Sequence, residues 1–377
     1  MTLDDITRAV LARGDVARYL RGDAGHSEEA ARARINAYLD ELKTTQRYSF
    51  YRALKHPLYP ILRKIERRHE GVDLVRAATE AGRVVYVSNH KSHTDYLVEP
   101  LVLDDSGVRP PIIAAGINLF GGPLGLLHRH VTGAIPIRRN TKDPAYLVTL
   151  RAYIVELLRQ HDLLFYLEGG RSYSGELKSA KTGLLHAVML ATHSSRVVVP
   201  MAVAYDVVLE DHILARQAQK RRLRAFSREV AEMVRYAVGY ESRVFVSFGE
   251  PIPLDQHDPE SRRDVLTLAR EIRRRIGLLY KVLPTALLAT AMRPSATRAE
   301  LVDRADALVE TLRAVGANLG VHDGRQAVEE GTEALVRRNV ILVERADVYR
   351  VRDRAVLRYY ARTIQHLLTA PAGARMH

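Results

Sequence analysis

Cysteine is absent from the 377-residue sequence, and its absence removes several kinds of chemistry together. Without thiols the chain can form no disulfide, no thiolate metal site and no covalent intermediate on cysteine. The sequence also lacks the G-x-S-x-G turn of serine hydrolases and the G-x-x-x-x-G-K-S/T loop of P-loop enzymes. A chain without cysteine is compatible with a reducing compartment.

Long apolar runs are missing as well. No stretch reaches the roughly 18 apolar residues that a spanning helix needs, so we expect no transmembrane helix. The uncharged segment 111–127 is interrupted by four glycines and by Pro123, and it is predicted to form a buried strand and a loop. Residues 1–5 lack the basic and apolar regions of a signal peptide, so none is expected.

Lysine is scarce although the chain is strongly basic. The formal net charge is +13, and nine of the 57 basic residues are lysines. Most of the positive charge is therefore arginine, which stays protonated at any physiological pH. This balance indicates either a generally basic surface or an anionic partner, such as a phosphorylated metabolite, membrane lipid or nucleic acid.

The pattern of apolar residues divides the chain into three regions. Residues 1–80 show helical periodicity and are predicted to form an N-terminal helical region. Residues 81–255 alternate short β-rich runs with helical stretches, which is typical of an α/β fold built on a mixed β-sheet. Residues 256–377 are predicted to be mainly helical, with a small hairpin near 340–351 before a last helix.

Six β-rich runs define the strands predicted for the central region. They are 84–87, 112–115, 134–137, 163–167, 197–204 and 244–248. Helices are predicted between several of them, over 146–159 and 184–192. Side chains that follow parallel strands gather at one edge of such a sheet, so functional groups are expected there.

Candidate catalytic residues follow the first of these runs. His90 and Asp95 stand five positions apart in the sequence NHKSHTDY. A carboxylate within reach of an imidazole fixes its tautomer and stabilises its protonated form, which makes the imidazole a general base matched to neutral pH. His93 lies in the same stretch and is interpreted mainly as a turn residue.

Candidate anion ligands follow two later runs. Arg138 and Arg139 end the run 134–137, and their guanidinium groups match phosphate geometry, although a strand end that simply enters solvent would look similar. The stretch LEGGRS follows the run 163–167, and its glycines allow a tight turn and close approach of a ligand.

Four ordered blocks resemble the glycerolipid acyltransferase superfamily. They are NHKSHTDYL at 89–97, GAIPIRRN at 133–140, FYLEGGRSYSGEL at 165–177 and VPMAVAYD at 199–206. The stretches LEGGRS, KTG and VLRYYARTIQHLL are similar to bacterial glycerol-3-phosphate and dihydroxyacetone-phosphate acyltransferases. The resemblance covers about residues 80–255, so the central α/β region is expected to be the acyltransferase domain.

The resemblance implies a reaction and a set of site residues. His90 would accept the proton of the 1-hydroxyl of glycerol 3-phosphate as that oxygen attacks an acyl thioester, and Asp95 would orient His90. Dihydroxyacetone phosphate and 1-acylglycerol 3-phosphate are alternative acceptors. Acyl-coenzyme A or acyl-acyl carrier protein would be the co-substrate, with no further cofactor and no metal. Residues implied in acceptor binding or in shaping its site are Arg138, Arg139, Glu168, Gly169, Arg171, Lys181 and Pro200.

A basic, tyrosine-bearing segment between Arg47 and Arg68 predicts contact with a membrane surface. Its alternative is a helix that packs on its own domain with solvated charges. If the chain is an acyltransferase, membrane contact through this segment predicts a peripheral membrane protein at the cytoplasmic face, bound to anionic lipid.

Two other function classes are compatible with parts of the sequence. His90, His93 and Asp95 could serve as ligands of a metal hydrolase, although zinc sites usually have better-defined spacing. The basic residues between Arg216 and Arg228, with a winged C-terminal module, could bind nucleic acid, although no RNA-recognition motif is present. The resemblance favours an acyltransferase that binds no nucleic acid.

Overall fold

The computed structural model of the chain describes residues 3–22, 27–44, 65–120, 133–191, 196–220 and 242–369. These residues form a central mixed β-sheet with helices on both sides and a C-terminal helical region beside it.

The central sheet contains eight strands within the described residues. Their order is β1-β7-β6-β2-β5-β3-β4, and β8 pairs with β6. Only the pairs of β6 with β7 and with β8 are antiparallel; all others are parallel. The strands are β1 (Ile65–Glu70), β2 (Arg83–Ser88), β3 (Ile112–Gly116), β4 (Ala134–Ile137), β5 (Leu163–Tyr166), β6 (Arg196–Tyr205), β7 (Ser242–Phe248) and β8 (Ile252–Pro253).

Helices cover the sheet and bury its central strands. Both faces of β2 and β5 are buried, which explains their continuous apolar sequences. The three N-terminal helices pack on α6 beside β4. The helices up to β7 are α1 (Leu3–Leu11), α2 (Gly14–Gly22), α3 (Glu28–Leu42), α4 (Val72–Ala81), α5 (Asp95–Asp105), α6 (Pro144–Leu157), α7 (Gly183–Met189) and α8 (Asp211–Lys220).

The C-terminal region combines helices with a small antiparallel sheet. Its helix α10 packs against α11, α12 and α13, and α13 also contacts α8 of the central domain. The helices are α9 (Arg262–Leu279), α10 (Pro284–Ala291), α11 (Arg298–Ala314), α12 (Gly324–Arg337), α13 (Arg354–Arg362) and α14 (Gln365–Leu368). The sheet, in the order β10-β11-β9, comprises β9 (Ser295–Thr297), β10 (Ile341–Glu344) and β11 (Val348–Val351).

The predicted α/β architecture is confirmed, and all six predicted strands are present within two residues of their expected ends. The helical character predicted for residues 1–80 is wrong over β1, because Ile65–Glu70 pairs with β7 and is part of the sheet. This edge strand has one buried residue, so its sequence carries neither alternation nor an apolar run. The predicted boundary at residue 80 therefore cuts through the sheet domain.

The segment predicted to bind membranes lies largely outside the described residues, since these resume at Ile65. Its last residues belong to β1, where Arg67 pairs with Asp105 and Arg68 with Glu66. No helix among the described residues is both long and apolar enough to cross a bilayer.

The parallel strands position the candidate residues at one edge of the sheet. His90 follows β2, Arg139 follows β4 and Glu168 follows β5, while Gly116 ends β3. Because β2, β5, β3 and β4 are neighbours and run parallel, their carboxyl ends open onto a common site.

Candidate active site

Asn89 fixes the point at which the chain leaves strand β2. Its buried side-chain amide donates to the carbonyl of Val203 at 2.9 Å and accepts from the Val203 amide at 2.8 Å. These two bonds continue the pairing between β2 and β6 beyond the last backbone pair. The next residue, His90, is thereby held at the sheet edge.

His90 and Asp95 form a buried hydrogen-bonded pair. Nδ1 of His90 lies 2.8 Å from Oδ2 of Asp95. Asp95 begins α5, and the same oxygen accepts the amides of Lys91 and Ser92 at 2.7 and 3.0 Å, while Tyr205 donates to Oδ1 at 2.7 Å. Since an ionised carboxylate only accepts, Nδ1 of His90 carries the proton and Nε2 is left as a base.

Burial sets the protonation of this pair. It lowers the pKa of His90 well below its ordinary 6.5, and the positive charges of Arg171, Arg139 and Lys178 lower it further. Burial raises the pKa of Asp95 to about 6, against the hydrogen bonds that favour the carboxylate. At neutral pH a neutral imidazole therefore faces an ionised carboxylate. The sequence interpretation considered the carboxylate alone and did not include the effect of burial on the imidazole.

A second buried carboxylate, that of Glu99, is linked to the imidazole through Tyr166. The Tyr166 ring stacks on the His90 ring at 4.0 Å with an angle of 11° between their planes. Glu99 accepts the Tyr166 hydroxyl at 2.9 Å and the Ser88 hydroxyl at 2.6 Å. Burial, together with the charge of Asp95, raises the pKa of Glu99 well above its usual range. The sequence reasoning missed Glu99, although a carboxylate four positions after Asp95 in an apolar helix was a usable signal.

The turn that contains Glu168 is tied to the His90 loop. Glu168 accepts the backbone amide of His90 and that of Lys178, each at 3.1 Å. Gly169 adopts a φ of +66°, and a Cβ there would come within 3.1 Å of Cγ of Lys181. Glu168 thus joins two loops, and the Lys181 side chain lies against the turn.

The two adjacent arginines after β4 point to different places. The Arg139 guanidinium lies against Gly116 and Gly170, where a Cβ on Gly116 would come within 2.7 Å of its Nη2. Arg138 instead donates from Nε to Glu41 at 2.8 Å and lies over the rings of Tyr38 and Tyr146. Arg138 therefore belongs to the contact with the N-terminal helices. Its predicted contact with phosphate stays a prediction, and the geometry favours Arg139 for it.

Arg171 is buried, and its charge acts on His90. Its Nη1 lies 3.5 Å from Oε1 of Glu210, and its guanidinium lies 5.6 Å from the ring centre of Tyr173. Nζ of Lys178 donates to the Arg171 carbonyl at 2.8 Å. Arg171 thus contributes positive charge near His90 from within the protein.

One cavity of about 80 Å³ collects the groups at the sheet edge. Its polar lining residues are His90, His93 and Arg139, and Gly169 and Gly170 also line it. His93, expected to be mainly a turn residue, is thus part of the cavity wall. The apolar wall comprises Tyr96, Ala114, Ala115, Leu119, Ile137, Tyr166 and Leu184.

Pro200 lies farther back in the sheet. It pairs with Val87 in the register of β6 and β2, and its carbonyl accepts the Gly249 amide at 2.8 Å. It is not among the residues that line the cavity. Within the described parts of the chain, no three His, Asp or Glu side chains form a group that could hold a metal ion.

Two family models match the sequence. The model described as Acyltransferase matches residues 66–204, and the model described as Glycerol-3-phosphate acyltransferase C-terminal region matches residues 230–375. The first match contains the His90–Asp95 pair, Arg139 and the LEGGRS turn. The second contains the helices that follow β7.

Curated relatives extend this similarity over most of the chain. A protein of Pasteurella multocida named glycerol-3-phosphate acyltransferase is 30% identical over 391 residues, covering 92% of this chain and 47% of the relative. A protein of Histophilus somni with the same name is 34% identical over 255 residues, covering 62% of this chain and 30% of the relative. The chain thus spans about half the length, or less, of these relatives.

A solved structure is also similar to the chain. The 1-acyl-sn-glycerophosphate (LPA) acyltransferase PlsC from Thermotoga maritima aligns with 72% of this chain and 93% of its own, at 15% identity and a TM-score of 0.35.

Proposed function

Because the chain belongs to the glycerolipid acyltransferase superfamily, we propose that it transfers a fatty acyl group from an acyl thioester to the 1-hydroxyl of glycerol 3-phosphate. The product would be lysophosphatidate. The relatives named glycerol-3-phosphate acyltransferase support this acceptor. The observation that carries the proposal is that the hydrogen-bonded imidazole of His90 and the guanidinium of Arg139 line one cavity.

His90 is the general base of the proposed reaction. Its Nε2 takes the proton of the acceptor hydroxyl as the oxygen attacks the thioester carbonyl, and the imidazolium that forms is stabilised by Asp95. When the tetrahedral intermediate collapses, the C–S bond breaks and His90 returns the proton to the leaving thiolate. No acyl-enzyme is required, because the base activates the acceptor directly.

Arg139 is the best placed cation for the acceptor phosphate. Its guanidinium lines the cavity beside the backbone of Gly169 and Gly170. A guanidinium offers paired N–H donors that match phosphate oxygens. Arg171 and Lys178 add positive charge near His90 without lining the cavity.

The apolar wall of the cavity suits the first carbons of an acyl chain. Leu119, Ile137 and Leu184 line the same cavity as His90, so the acyl carbons of a thioester would contact them while its carbonyl faces His90. Acyl-coenzyme A and acyl-acyl carrier protein both supply the thioester as co-substrate, and the proposed chemistry needs no other cofactor.

The proposal is tested with purified protein and labelled palmitoyl-coenzyme A. Glycerol 3-phosphate, dihydroxyacetone phosphate and 1-acylglycerol 3-phosphate are supplied in separate reactions, and the phospholipid products are separated. Labelled lysophosphatidate from glycerol 3-phosphate, at the highest kcat/KM of the three, is the expected result. Preference for another acceptor would reassign the substrate, and thioester hydrolysis without transfer to any acceptor would reject the proposal.

A further inference from the structure

The loop between β6 and α8 brings a buried carboxylate to the back of the candidate active site. Glu210 is 1% exposed and lies just before α8. None of the four sequence blocks includes it. A buried carboxylate requires partners, because its unpaired burial would be costly, so its contacts indicate its role.

The Glu210 carboxylate is contacted by three donor groups from two separate loops of the site. Its oxygens accept the Ser92 hydroxyl at 3.0 and 2.9 Å, and Oε1 accepts the His93 amide at 2.6 Å. The same Oε1 lies 3.5 Å from Nη1 of Arg171. One side chain therefore joins the turn between His90 and Asp95 to the LEGGRS turn.

We propose that Glu210 is a positioning residue that fixes Arg171 and the Ser92–His93 turn against the His90–Asp95 pair. The Ser92 amide at the front of this turn donates to Asp95, while its hydroxyl at the back donates to Glu210. The wall residue His93 is held by its backbone amide. The expected effect of Glu210 on turnover rests on the proposed function. The arrangement of Glu210, Arg171 and the Ser92–His93 turn rests on the geometry alone.

The charge of Glu210 has a second consequence for the site. The charged groups that act on His90 include Asp95 at its Nδ1 and the cations Arg171, Arg139 and Lys178. Of these cations, Arg171 has the largest effect, and the Glu210 carboxylate lies 3.5 Å from its guanidinium. Loss of the Glu210 charge would leave the field of Arg171 less compensated and make His90 harder to protonate.

Asp211 provides a matched control within the same loop. It is 0% exposed and also pairs with a buried arginine, Arg338, and with the hydroxyl of Tyr360 at 2.7 Å. These partners belong to the C-terminal region and not to the catalytic loops. Asp211→Asn and Glu210→Gln each neutralise one buried carboxylate. The two variants differ in the contacts that are lost, which lie in the C-terminal region for Asp211 and in the catalytic loops for Glu210.

The experiment compares both variants with the wild-type chain by steady-state kinetics and thermal unfolding. We expect Glu210→Gln to reduce kcat by about 10–100-fold, because small displacements of catalytic groups have effects of this size. Asp211→Asn should keep kcat within about threefold while it lowers the unfolding temperature, since its contacts act on stability. A Glu210→Gln protein that loses only stability would overturn the inference.

A readout independent of turnover separates this inference from the proposed function. The His90 ring is titrated by NMR without substrate, with its signal assigned by its loss in His90→Ala. We expect the His90 pKa to shift downward in Glu210→Gln and to stay unchanged in Asp211→Asn. This result would support the arrangement even if no acyl transfer were found, whereas equal titration in all three proteins would refute it.

A milder variant covers the case in which Glu210→Gln does not fold. Ser92→Ala removes the hydroxyl that donates to both Glu210 oxygens and leaves the carboxylate with His93 and Arg171. It should lower kcat in the same direction with little change in the acceptor KM. A Ser92→Ala protein with wild-type kcat would count against the positioning role.

Discussion

The imidazole of His90 lies parallel to the phenol ring of Tyr166, with 4.0 Å between ring centres. The Tyr166 hydroxyl in turn donates to Glu99 at 2.9 Å. The base is therefore held by Asp95 at its Nδ1 edge and by an aromatic surface on one face. This arrangement separates two contributions of Tyr166, the stacking of its ring and the hydrogen bond of its hydroxyl.

Tyr166→Phe should mainly affect stability. The ring remains stacked on His90, but Glu99 loses one of its two side-chain donors in a buried site, which costs about 1–3 kcal/mol. Tyr166→Leu removes the aromatic face and should also lower kcat. Chemical denaturation and steady-state kinetics measure the two effects. A large loss of kcat in Tyr166→Phe would contradict the separation.

The pH dependence of His90 follows from its surroundings. Because burial and nearby cations favour the neutral imidazole, its pKa should lie below 6.5. The base should therefore be unprotonated at neutral pH. Protonation of the His90–Asp95 pair would then reduce activity only as the pH falls to about 6 or below.

The test of this pH dependence is an NMR titration of His90 without substrate. Substrate-free protein is needed because an acceptor phosphate itself titrates at about pH 6. A pH profile of activity would therefore mix the titration of the phosphate with that of the His90–Asp95 pair. A His90 pKa at or above 7 would show that Asp95 outweighs burial and the three cations.

Arg139→Ala and Arg138→Ala distinguish the two adjacent arginines. Loss of Arg139 removes a charge-assisted bond to phosphate, which is worth roughly 1.5–3 kcal/mol and should raise the acceptor KM about 10–100-fold. Loss of Arg138 breaks its contacts with Glu41 and two tyrosine rings, so it should affect stability and leave the acceptor KM nearly unchanged. The reverse pattern would show that Arg138 is the phosphate ligand.

Membrane association remains a prediction from the segment between Arg47 and Arg68. Reversal of Arg63 and Lys64 to glutamate should release the protein from anionic liposomes, because each basic residue near such a surface adds about 1 kcal/mol of binding. Arg262 and Arg263, both exposed on α9, provide a control with the same change in charge. Equal sedimentation of both reversed proteins with liposomes, at the wild-type level, would contradict the prediction.

The sequence predicted the elements whose signals are local. Strand β4 was expected over 134–137 and is present there, because an apolar run between turn residues needs no further context. Strand β1 was missed, because Ile65–Glu70 is polar and its pairing with β7 joins positions far apart in the chain. Long-range pairing of a polar edge strand leaves no periodic pattern.

The candidate site was predictable to a similar extent. The spacing of His90 and Asp95 anticipated their hydrogen bond, since both stand within one turn. Neighbouring side chains at a strand end face opposite sides, so the divergence of Arg138 and Arg139 could be anticipated. Which of the two lines the cavity depends on the fold. Glu210 was missed because it is 118 positions from Ser92 in the chain, and only the fold brings the two together.

The central claim is that His90 is the general base of an acyl transfer. Its most direct test is the turnover of His90→Ala with palmitoyl-coenzyme A and glycerol 3-phosphate, with folding checked by circular dichroism. We expect a folded protein whose kcat is lower by about 10²–10⁴-fold, because this is the usual contribution of a general base. A folded His90→Ala protein with turnover close to that of the wild-type chain would contradict the account.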